Sequence, residues 1–419
     1  MKSSVSLRII FTLFVFMLIA IEVANAATID KTKFVSINAM TNESRTKLLE
    51  LGISIEEVYS DCVWSLVNEE EIARVKEAGY QILTEAPSEV FLSAPQFPKK
   101  DGQYHDYAGM NLALNALHEK FPKQTRLISI GKSWEGRDLI ALHISASPAD
   151  LESGHSMKPG IVFMGAHHAR EHLSSEIPRM LGEFLLEHQR EQKISTLINT
   201  RDIWIIPMVN PDGAEFDIEG GHYHLWRKNR SQNEGSSRGV DLNRNYGYLW
   251  GTGGSSHIAS SDTYMGPTPF SEPETQAIRD FVKDHLNLKV LLSYHTYSEL
   301  ILYPWGYTKD SIKQQRDHDA FKTMAETMAK WNHYTPEQSS DLYITSGDTT
   351  DWAYGELGIF AFTFELTPKG IFGGGFYPGV KAIDSTFNDN LNPALYLIDL
   401  ADNPYRAIDQ GAGASIWYK

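Results

Sequence analysis

The sequence predicts an α/β protein in which helices cover both faces of a sheet, preceded by a small α+β domain. Two observations carry the prediction for the larger part of the chain. Four short apolar runs show no alternation of polar and apolar residues, as in strands that are buried on both faces; they are residues 160–164, 203–206, 289–292 and 359–364. Amphipathic helical stretches lie between or beside these runs, at residues 175–189, 272–285 and 317–331. This alternation is typical of a three-layer α/β sandwich.

The first hundred residues have a different pattern, which predicts a separate small domain. Short extended and helical segments alternate there, with strands at residues 33–37, 58–67 and 80–84 and helices at residues 43–51 and 69–78. A stretch rich in Pro and Lys follows at residues 93–102, which is typical of a linker, and Lys99-Lys100 within it offers a site for a trypsin-like protease. We therefore predict a small domain with its linker at residues 27–100 and a large domain at residues 101–419.

The extreme N-terminus predicts a secretory signal peptide over residues 1–26. Lys2 and Arg8 supply positive charge, residues 9–21 are apolar, and Ala24-Asn25-Ala26 offers a cleavage site with small residues. The apolar run is shorter than the ~20 residues that a membrane-spanning helix needs. We expect a protein secreted to the periplasm or the medium, without a membrane anchor once the signal is removed.

Charge and cysteine content narrow the classes of function. The chain has 38 Lys and Arg against 53 Asp and Glu, a formal net charge of −15. Binding to nucleic acid requires clustered positive charge, so this balance argues against it. Cys62 is the only cysteine, which excludes an intramolecular disulfide and leaves core packing and bound metal as sources of stability.

Polar residues that directly follow the apolar runs form a candidate metal site. His168 and Glu171 follow the first run, His295 follows the third, and Glu365 follows the fourth. Ligands in α/β sheets gather beyond the carboxyl ends of the strands. Two His and one carboxylate with an open fourth position form a common catalytic zinc set, and a free carboxylate nearby can act as general base and acid. Glu365 is the candidate for that role.

The His-x-x-Glu spacing alone is weak evidence for a metal site, because His188 and Glu191 share it in a segment typical of a solvated helix face. Six longer segments in the same order make the chain resemble the zinc metallocarboxypeptidases of the carboxypeptidase A and B type. They are His168-Ala-Arg-Glu171, Leu225-Trp-Arg-Lys-Asn-Arg230, Gly239-Val-Asp-Leu-Asn-Arg-Asn245, Ser293-Tyr-His-Thr-Tyr-Ser298, Leu302-Tyr-Pro-Trp-Gly306 and Phe362-Thr-Phe-Glu365. The resemblance implies a mixed sheet of eight strands and one zinc ion held by His168, Glu171 and His295, with Glu365 as general base and acid.

The same resemblance implies roles in substrate binding. Arg230 matches the arginine that polarises the substrate carbonyl and stabilises the oxyanion. The groups that match binders of the substrate peptide and its terminal carboxylate are Arg170, Asn243, Arg244, Tyr297 and Tyr343. Taken singly, Asn243 and Tyr343 are also compatible with ordinary loop polarity and a half-buried aromatic, and Arg230 with a solvated basic run.

Residues 339–354 resemble the bacterial carboxypeptidase T group in particular. Thr350 matches the residue deep in the pocket for the departing side chain. Asp348 matches a carboxylate associated with accepting Lys and Arg as well as hydrophobic residues, although its place after Gly347 is also typical of a turn. The resemblance thus implies mixed hydrophobic and basic preference. Relatives of this group also bind structural calcium, for which the sequence offers no recognisable ligand motif.

The small N-terminal domain resembles the ferredoxin-like pro-segment of the family, which covers the active-site cleft until the linker is cut. This implies a zymogen, most simply a monomer, with peptide C-termini as substrates and an activating protease as partner. Two alternatives remain open at this point. One is a zinc amidohydrolase of related architecture that acts on cell-wall peptides, and the other is an inactive peptide-binding homologue.

Overall fold

The computed structural model describes residues 32–87, 101–233 and 235–409, which form a small and a large domain. The predicted signal peptide and most of the predicted linker lie outside these residues. Within the described ranges, no helix is long and apolar enough to cross a membrane.

The small domain is a four-stranded antiparallel sheet with two helices. Its elements are β1 (Lys33–Ile37), α1 (Asn42–Glu50), β2 (Glu57–Val58), β3 (Val63–Val67), α2 (Glu69–Glu77) and β4 (Ile82–Pro87). The strand order is β2-β3-β1-β4, with antiparallel pairing throughout, which is the predicted ferredoxin-like arrangement. Thr41 and Asn68 cap the two helices, each through a reciprocal capping box.

One predicted strand of this domain is wrong. Residues 58–67 form the hairpin of β2 and β3 instead of one continuous strand. Ser60 and Asp61 are the polar residues at its tip, and the backbone N–H of Tyr59 donates to the carbonyl of Cys62 at 2.8 Å. Ser and Asp favour turns because their side chains compete for backbone hydrogen bonds, and this local preference interrupts the strand.

The large domain is a mixed sheet of eight strands with helices on both faces. Its strands are β5 (Thr125–Lys132), β6 (Asp138–Ile144), β7 (Gly160–Met164), β8 (Asp202–Ile206), β9 (Leu288–Thr296), β10 (Leu300–Tyr303), β11 (Thr335–Gln338) and β12 (Phe360–Leu366). Its helices are α3 (Tyr107–Lys120), α4 (Pro148–Ser153), α5 (Leu173–Glu187), α6 (Gln192–Thr200), α7 (Pro211–Asp217), α8 (Pro273–Asp284), α9 (Gln315–Asn332), α10 (Thr349–Leu357), α11 (Lys381–Leu400) and α12 (Arg406–Asp409). The strand order is β11-β10-β12-β9-β7-β8-β6-β5. This confirms the predicted three-layer architecture.

The two faces of the sheet have separate cores. Side chains of α3, α5, α6, α9 and α11 pack on one face around Phe163, Leu292 and Phe362, and those of α8 and α10 pack on the other around Trp204 and Leu291. Every residue of β7 and β8 is buried, as expected for central strands without alternation.

The central strands set the position of the candidate site. β7, β9 and β12 are neighbours and run parallel, so their carboxyl ends meet at one edge of the sheet. His295 and Glu365 are register partners on β9 and β12. The segment that carries His168 and Glu171 runs from the end of β7 to the start of α5. The sheet thereby brings all four predicted side chains to the same rim.

Candidate active site

The predicted metal ligands converge in the buried rim of the sheet. Nδ1 of His168 lies 2.7 Å from Oε1 of Glu171, and Nδ1 of His295 lies 3.0 Å from Oε2 of the same carboxylate. The two Nδ1 atoms are 3.1 Å apart. One ligand atom from each residue lies within 4.8 Å of the others, and among the described residues this is the only group of three or more His, Cys, Asp and Glu that does so. Two imidazoles and one carboxylate suit zinc.

Charge and hydrogen bonding prepare this donor set for a cation. Burial acts to raise the pKa of Glu171, but the two histidines outweigh burial and hold the pKa below its ordinary value. Nε2 of His168 lies 3.1 Å from Oδ1 of Asp241, which leaves Nδ1 to face the other ligands. A carboxylate behind a metal-binding histidine fixes the orientation of the ring and raises its basicity. The donor set therefore fits the zinc ion that the sequence implies.

Asp241 is a functional residue that the sequence reasoning missed. It is fully buried, and its second oxygen accepts from Nε and Nη2 of Arg227 at 3.0 and 2.9 Å. Burial opposes ionisation, but Arg227 and His168 hold the pKa of Asp241 well below its ordinary value. The available signal was its place in the segment 239–245, two residues before Asn243.

The predicted placement of Arg230 at the metal site is wrong. The guanidinium of Arg230 stacks on the ring of Phe216 at 3.6 Å and lies in a separate hollow with Glu135 and Asp212. Arg227 instead lines the cavity that His168 and Glu171 line. The backbone carbonyl of Arg227 accepts from the N–H of Ala169, which ties this arginine to the ligand segment. Residues 222–231 form neither helix nor strand, so periodicity could not indicate which arginine faces the metal.

Glu365 is where the sequence predicts it. Its side chain lines the same cavity as His168, Glu171 and Arg227. Burial and the nearby charge of Glu171 raise the pKa of Glu365 well above its ordinary value, while Arg227 and Arg244 act in the opposite direction. A carboxylate whose pKa is raised in this way is suited to exchange protons with a reacting group.

Four predicted substrate-binding residues line this cavity of about 80 Å³: Asn243, Arg244, Tyr297 and Tyr343. Asn243 and Arg244 belong to a 3-10 turn at Leu242–Arg244, and Nη1 of Arg244 donates to the carbonyl of Asn243 at 2.7 Å. Nε of Arg244 is buried without a hydrogen-bond partner among the described residues. A buried guanidinium with unused donors is a suitable partner for a carboxylate.

Asp348 and Thr350 are not among the residues that line this cavity. Asp348 is the N-cap of α10, and its Oδ1 accepts from the N–H of Asp351 at 2.9 Å and from Oγ1 of Thr350 at 2.6 Å. The structure thus gives Asp348 a capping role after Gly347, which the sequence left open as an alternative. It does not place either side chain at the metal ligands.

The small domain closes the cleft from outside. Ile55, Glu56, Glu57 and Val58 line the same cavity as the ligands His168 and Glu171. Both oxygens of Glu56 accept from Nη2 of Arg170, at 2.7 and 2.9 Å, and Arg170 is fully buried. An apolar cluster joins the domains, formed by Phe34 and Leu66 from one side and Leu225, Tyr297, Ile371 and Phe376 from the other.

Fold and site together define a zinc hydrolase of the metallocarboxypeptidase class. A family model described as zinc carboxypeptidase matches residues 110–393. The chain belongs to the zinc carboxypeptidase family, which confirms the resemblance seen in the sequence.

Relatives cover most of the chain. It is 36% identical over 377 residues to a zinc carboxypeptidase of Saccharothrix mutabilis subsp. capreolus, with 85% of each chain covered. It is 34% identical over 279 residues to carboxypeptidase B of Astacus astacus, covering 64% of this chain and 88% of that one. Among solved structures, thrombin activatable fibrinolysis inhibitor matches with a TM-score of 0.71 and 25% identity over 89% of this chain and all of the other. Carboxypeptidase A of Helicoverpa armigera matches the fold with a TM-score of 0.71 and 24% identity, over 91% and 99%.

Proposed function

We propose that this zinc metallocarboxypeptidase is a secreted zymogen that releases hydrophobic and basic residues from peptide C-termini. The observation that carries the proposal is the shared cavity. It brings Glu365 and two of the metal ligands, His168 and Glu171, together with Asn243 and Arg244, a side-chain amide and a guanidinium suited to a free carboxylate. Chemistry and recognition of a chain end thus lie in one place.

Binding begins at the terminal carboxylate of the substrate. Arg244 offers a cation with a planar set of donors, Asn243 adds an amide, and Tyr343 adds a hydroxyl. Arg170 contacts the peptide further from its end. Fixing the chain end in this way would present the last peptide bond to Glu365 and would disfavour cleavage of internal bonds.

Glu365 then transfers the proton of the attacking water, and Arg227 stabilises the charge of the transition state. When bound, a zinc ion would be held by His168, Glu171 and His295, and it would supply Lewis acidity and lower the pKa of water towards neutrality. Glu365 takes a proton from the attacking water and passes it to the leaving amine as the C–N bond breaks, so that one water is consumed for each amino acid released. Arg227 stabilises the negative charge that develops on the carbonyl oxygen.

The small domain supports latency. Its Glu56 forms an ion pair with Arg170, and residues 55–58 line the cleft that the peptide would enter. Cutting the linker at Lys99-Lys100 would allow this domain to leave. We therefore propose that the uncleaved chain is latent and that a trypsin-like protease activates it outside the cytoplasm, after removal of the predicted signal peptide.

The proposed mixed preference is supported by acidic groups beside the turn at Gly306. Two backbone N–H groups, from Gly306 and Tyr307, donate to Asp351. A Cβ placed on Gly306 would lie 3.0 Å from Oδ2 of Asp348 and 3.6 Å from Oδ2 of Asp351. Burial and the neighbouring Asp348 raise the pKa of Asp351 well above its ordinary value, so the pair supplies one negative charge that would favour a cationic side chain near the turn, whereas Thr350 alone would not.

The proposed function is tested by comparing a peptide with a free C-terminus and the same peptide with an amidated C-terminus. The protein is used after cleavage at the linker, and an N-acylated amino acid and a cell-wall peptide serve as further substrates. Cleavage of the free peptide alone supports carboxylate recognition by Asn243 and Arg244. Cleavage of the cell-wall peptide alone would replace the proposal with the amidohydrolase alternative.

A further inference from the structure

The side-chain amide of Asn243 is held in one orientation by Thr349. Oδ1 of Asn243 accepts from the backbone N–H of Thr349 at 3.0 Å and from its Oγ1 at 2.9 Å. Asn243 lines the cavity, whereas Thr349 is buried and is not among the lining residues. Thr349 therefore reaches the cavity only through Asn243.

These two contacts settle which end of the Asn243 amide faces the cavity. A backbone N–H can only donate, so the atom beside it must be the carbonyl oxygen and not the NH₂ group. Both lone pairs of Oδ1 are then used. Nδ2 makes no hydrogen bond to any described protein group, which leaves its two N–H donors for a ligand. The Nδ2 group of Asn243 and the guanidinium of Arg244 are thus both hydrogen-bond donors to a ligand in the cavity.

A second set of hydrogen bonds holds Thr349 itself. Nε2 of His167 lies 3.2 Å from Oγ1 of Thr349 and 3.0 Å from the hydroxyl of Tyr246, and Oγ of Ser293 lies 3.1 Å from Nδ1 of His167. All of these side chains are buried. If Nδ1 accepts from Ser293, Nε2 carries the hydrogen and donates to Thr349, so that the threonine hydroxyl is free to donate to Asn243. The donors and acceptors are therefore consistent along the series of hydrogen bonds from Ser293 through His167 and Thr349 to Asn243.

We infer that Thr349 is a positioning residue for substrate recognition. Its hydroxyl, oriented by His167, fixes Asn243 as a donor to the terminal carboxylate of the peptide. This inference rests on the proposed function, in which Asn243 binds that carboxylate. Without the threonine hydroxyl, the amide is held by the backbone N–H of Thr349 alone, so its orientation is less restrained and it donates less effectively to a carboxylate.

The test is a double-mutant cycle with the linker-cleaved holoenzyme and a blocked peptide that ends in Leu. The variants are Thr349→Val, Thr349→Ser, Asn243→Ala and the Thr349→Val/Asn243→Ala pair. One neutral hydrogen bond corresponds to a change of roughly five- to tenfold, which we expect as a rise in KM for Thr349→Val with kcat changed less than about twofold. Thr349→Ser retains the hydroxyl and is expected to keep the wild-type KM.

The cycle distinguishes positioning from general damage to the fold. In the Asn243→Ala background, Thr349→Val is expected to add no further rise in KM, because it acts through Asn243. The inference would be overturned, and the proposed function left standing, by either of two results. One is an unchanged KM for Thr349→Val, and the other is the same rise in KM on this substitution with and without Asn243. If Asn243→Ala itself leaves KM unchanged, the proposed binding of the carboxylate fails and the inference fails with it. Should Thr349→Val not fold, Thr349→Cys replaces it, since its thiol is a weaker donor of similar size and should raise KM by a smaller factor.

Discussion

Glu56 of the small domain and Arg170 of the large domain form a buried ion pair in which both carboxylate oxygens contact Nη2 of the guanidinium. The guanidinium of Arg170 also stacks on the ring of Phe376, whose centroid lies 4.2 Å from Cζ. Arg170 lies two residues from His168 and next to Glu171 in the chain. The contact between the two domains therefore acts on the segment that holds the metal ligands.

Replacing Glu56 with Gln should weaken latency. Among the described residues, Asp262, 3.2 Å from Nη1, is then the acidic group that still pairs with the buried charge of Arg170. Removing one partner of a fully buried pair costs up to about 3–5 kcal/mol. We expect the uncleaved Glu56→Gln protein to hydrolyse peptides faster than the uncleaved wild type, and to be cut faster at the linker. The measurement is the initial rate on a blocked peptide before and after protease treatment.

Glu57→Gln is the matched control, since Glu57 lines the same cavity but accepts from the backbone N–H of Ile371, at 3.1 Å, instead of from a guanidinium. Its uncleaved form should stay close to the latent wild type. Equal latency in both variants would show that the ion pair with Arg170 does not hold the domain in place.

Arg227 and Arg230 should differ sharply in their effect on catalysis. Arg227 lines the cavity beside Glu365, so Arg227→Gln should lower kcat by about 100- to 1000-fold, as loss of an oxyanion donor does. Arg230→Gln should change kcat less than about threefold, because its guanidinium stacks on Phe216 in a separate hollow. Steady-state kinetics of both variants on one peptide make the comparison, and a larger loss for Arg230 would return the oxyanion role to that residue.

Asp241→Asn should weaken zinc binding without removing a ligand. Asp241 orients His168, and changes in such carboxylates lower metal affinity by about 10- to 100-fold. Competition with a chelator measures the affinity. Asp202→Asn is the matched control, because Asp202 contacts Nε2 of His143 at 2.6 Å in the core, away from the metal ligands. The control should lose stability and keep its zinc affinity; equal affinity in Asp241→Asn and the wild type would refute the role of Asp241.

Glu71 should make the stability of the two-domain protein dependent on pH. Burial raises the pKa of Glu71 to about 7, and the nearby charge of Asp262 adds to the shift, against Arg74 and Lys228. Since the pKa is higher in the folded state, the folded protein binds more protons there than the unfolded chain. The contribution of the protonated group is complete below about pH 4.5 and is lost as the pH rises through 7.

The loss amounts to at most about 3 kcal/mol, and Glu71→Gln should not show it, because a neutral amide has no proton to lose. The measurement is the free energy of unfolding of the intact chain in urea at pH 5 and pH 8. The wild type should lose more stability over this interval than Glu71→Gln. Parallel losses in both proteins would contradict the assignment.

The apolar composition of the central strands made this part of the site predictable from the sequence. The runs at residues 160–164 and 203–206 are almost wholly apolar, so burial on both faces could be inferred and the adjacent His168 and Glu171 could be placed at a sheet edge. Glu365 and His295 could be placed there for the same reason. The structure shows all of them together at that edge.

Irregular segments were predicted less well, because no periodicity fixes the direction of their side chains. Arg227 and Arg230 occur in one basic run, and only the hydrogen bond from Ala169 and the ion pair with Asp241 show which of them reaches the cavity. Glu56 could not be predicted as the partner of Arg170, since 114 residues separate them in the chain. Such contacts depend on how the two domains pack together, which the sequence pattern of either domain does not indicate.

The most direct test of the central claim is the release of amino acids from peptides ending in Leu, Phe, Lys and Arg, followed by mass spectrometry. The protein is assayed intact, after cleavage at the linker, after treatment with chelator, and after zinc is restored. The account predicts release of single C-terminal residues from all four peptides only after cleavage, abolished by chelator and recovered with zinc. No release by the cleaved, zinc-loaded protein would contradict it.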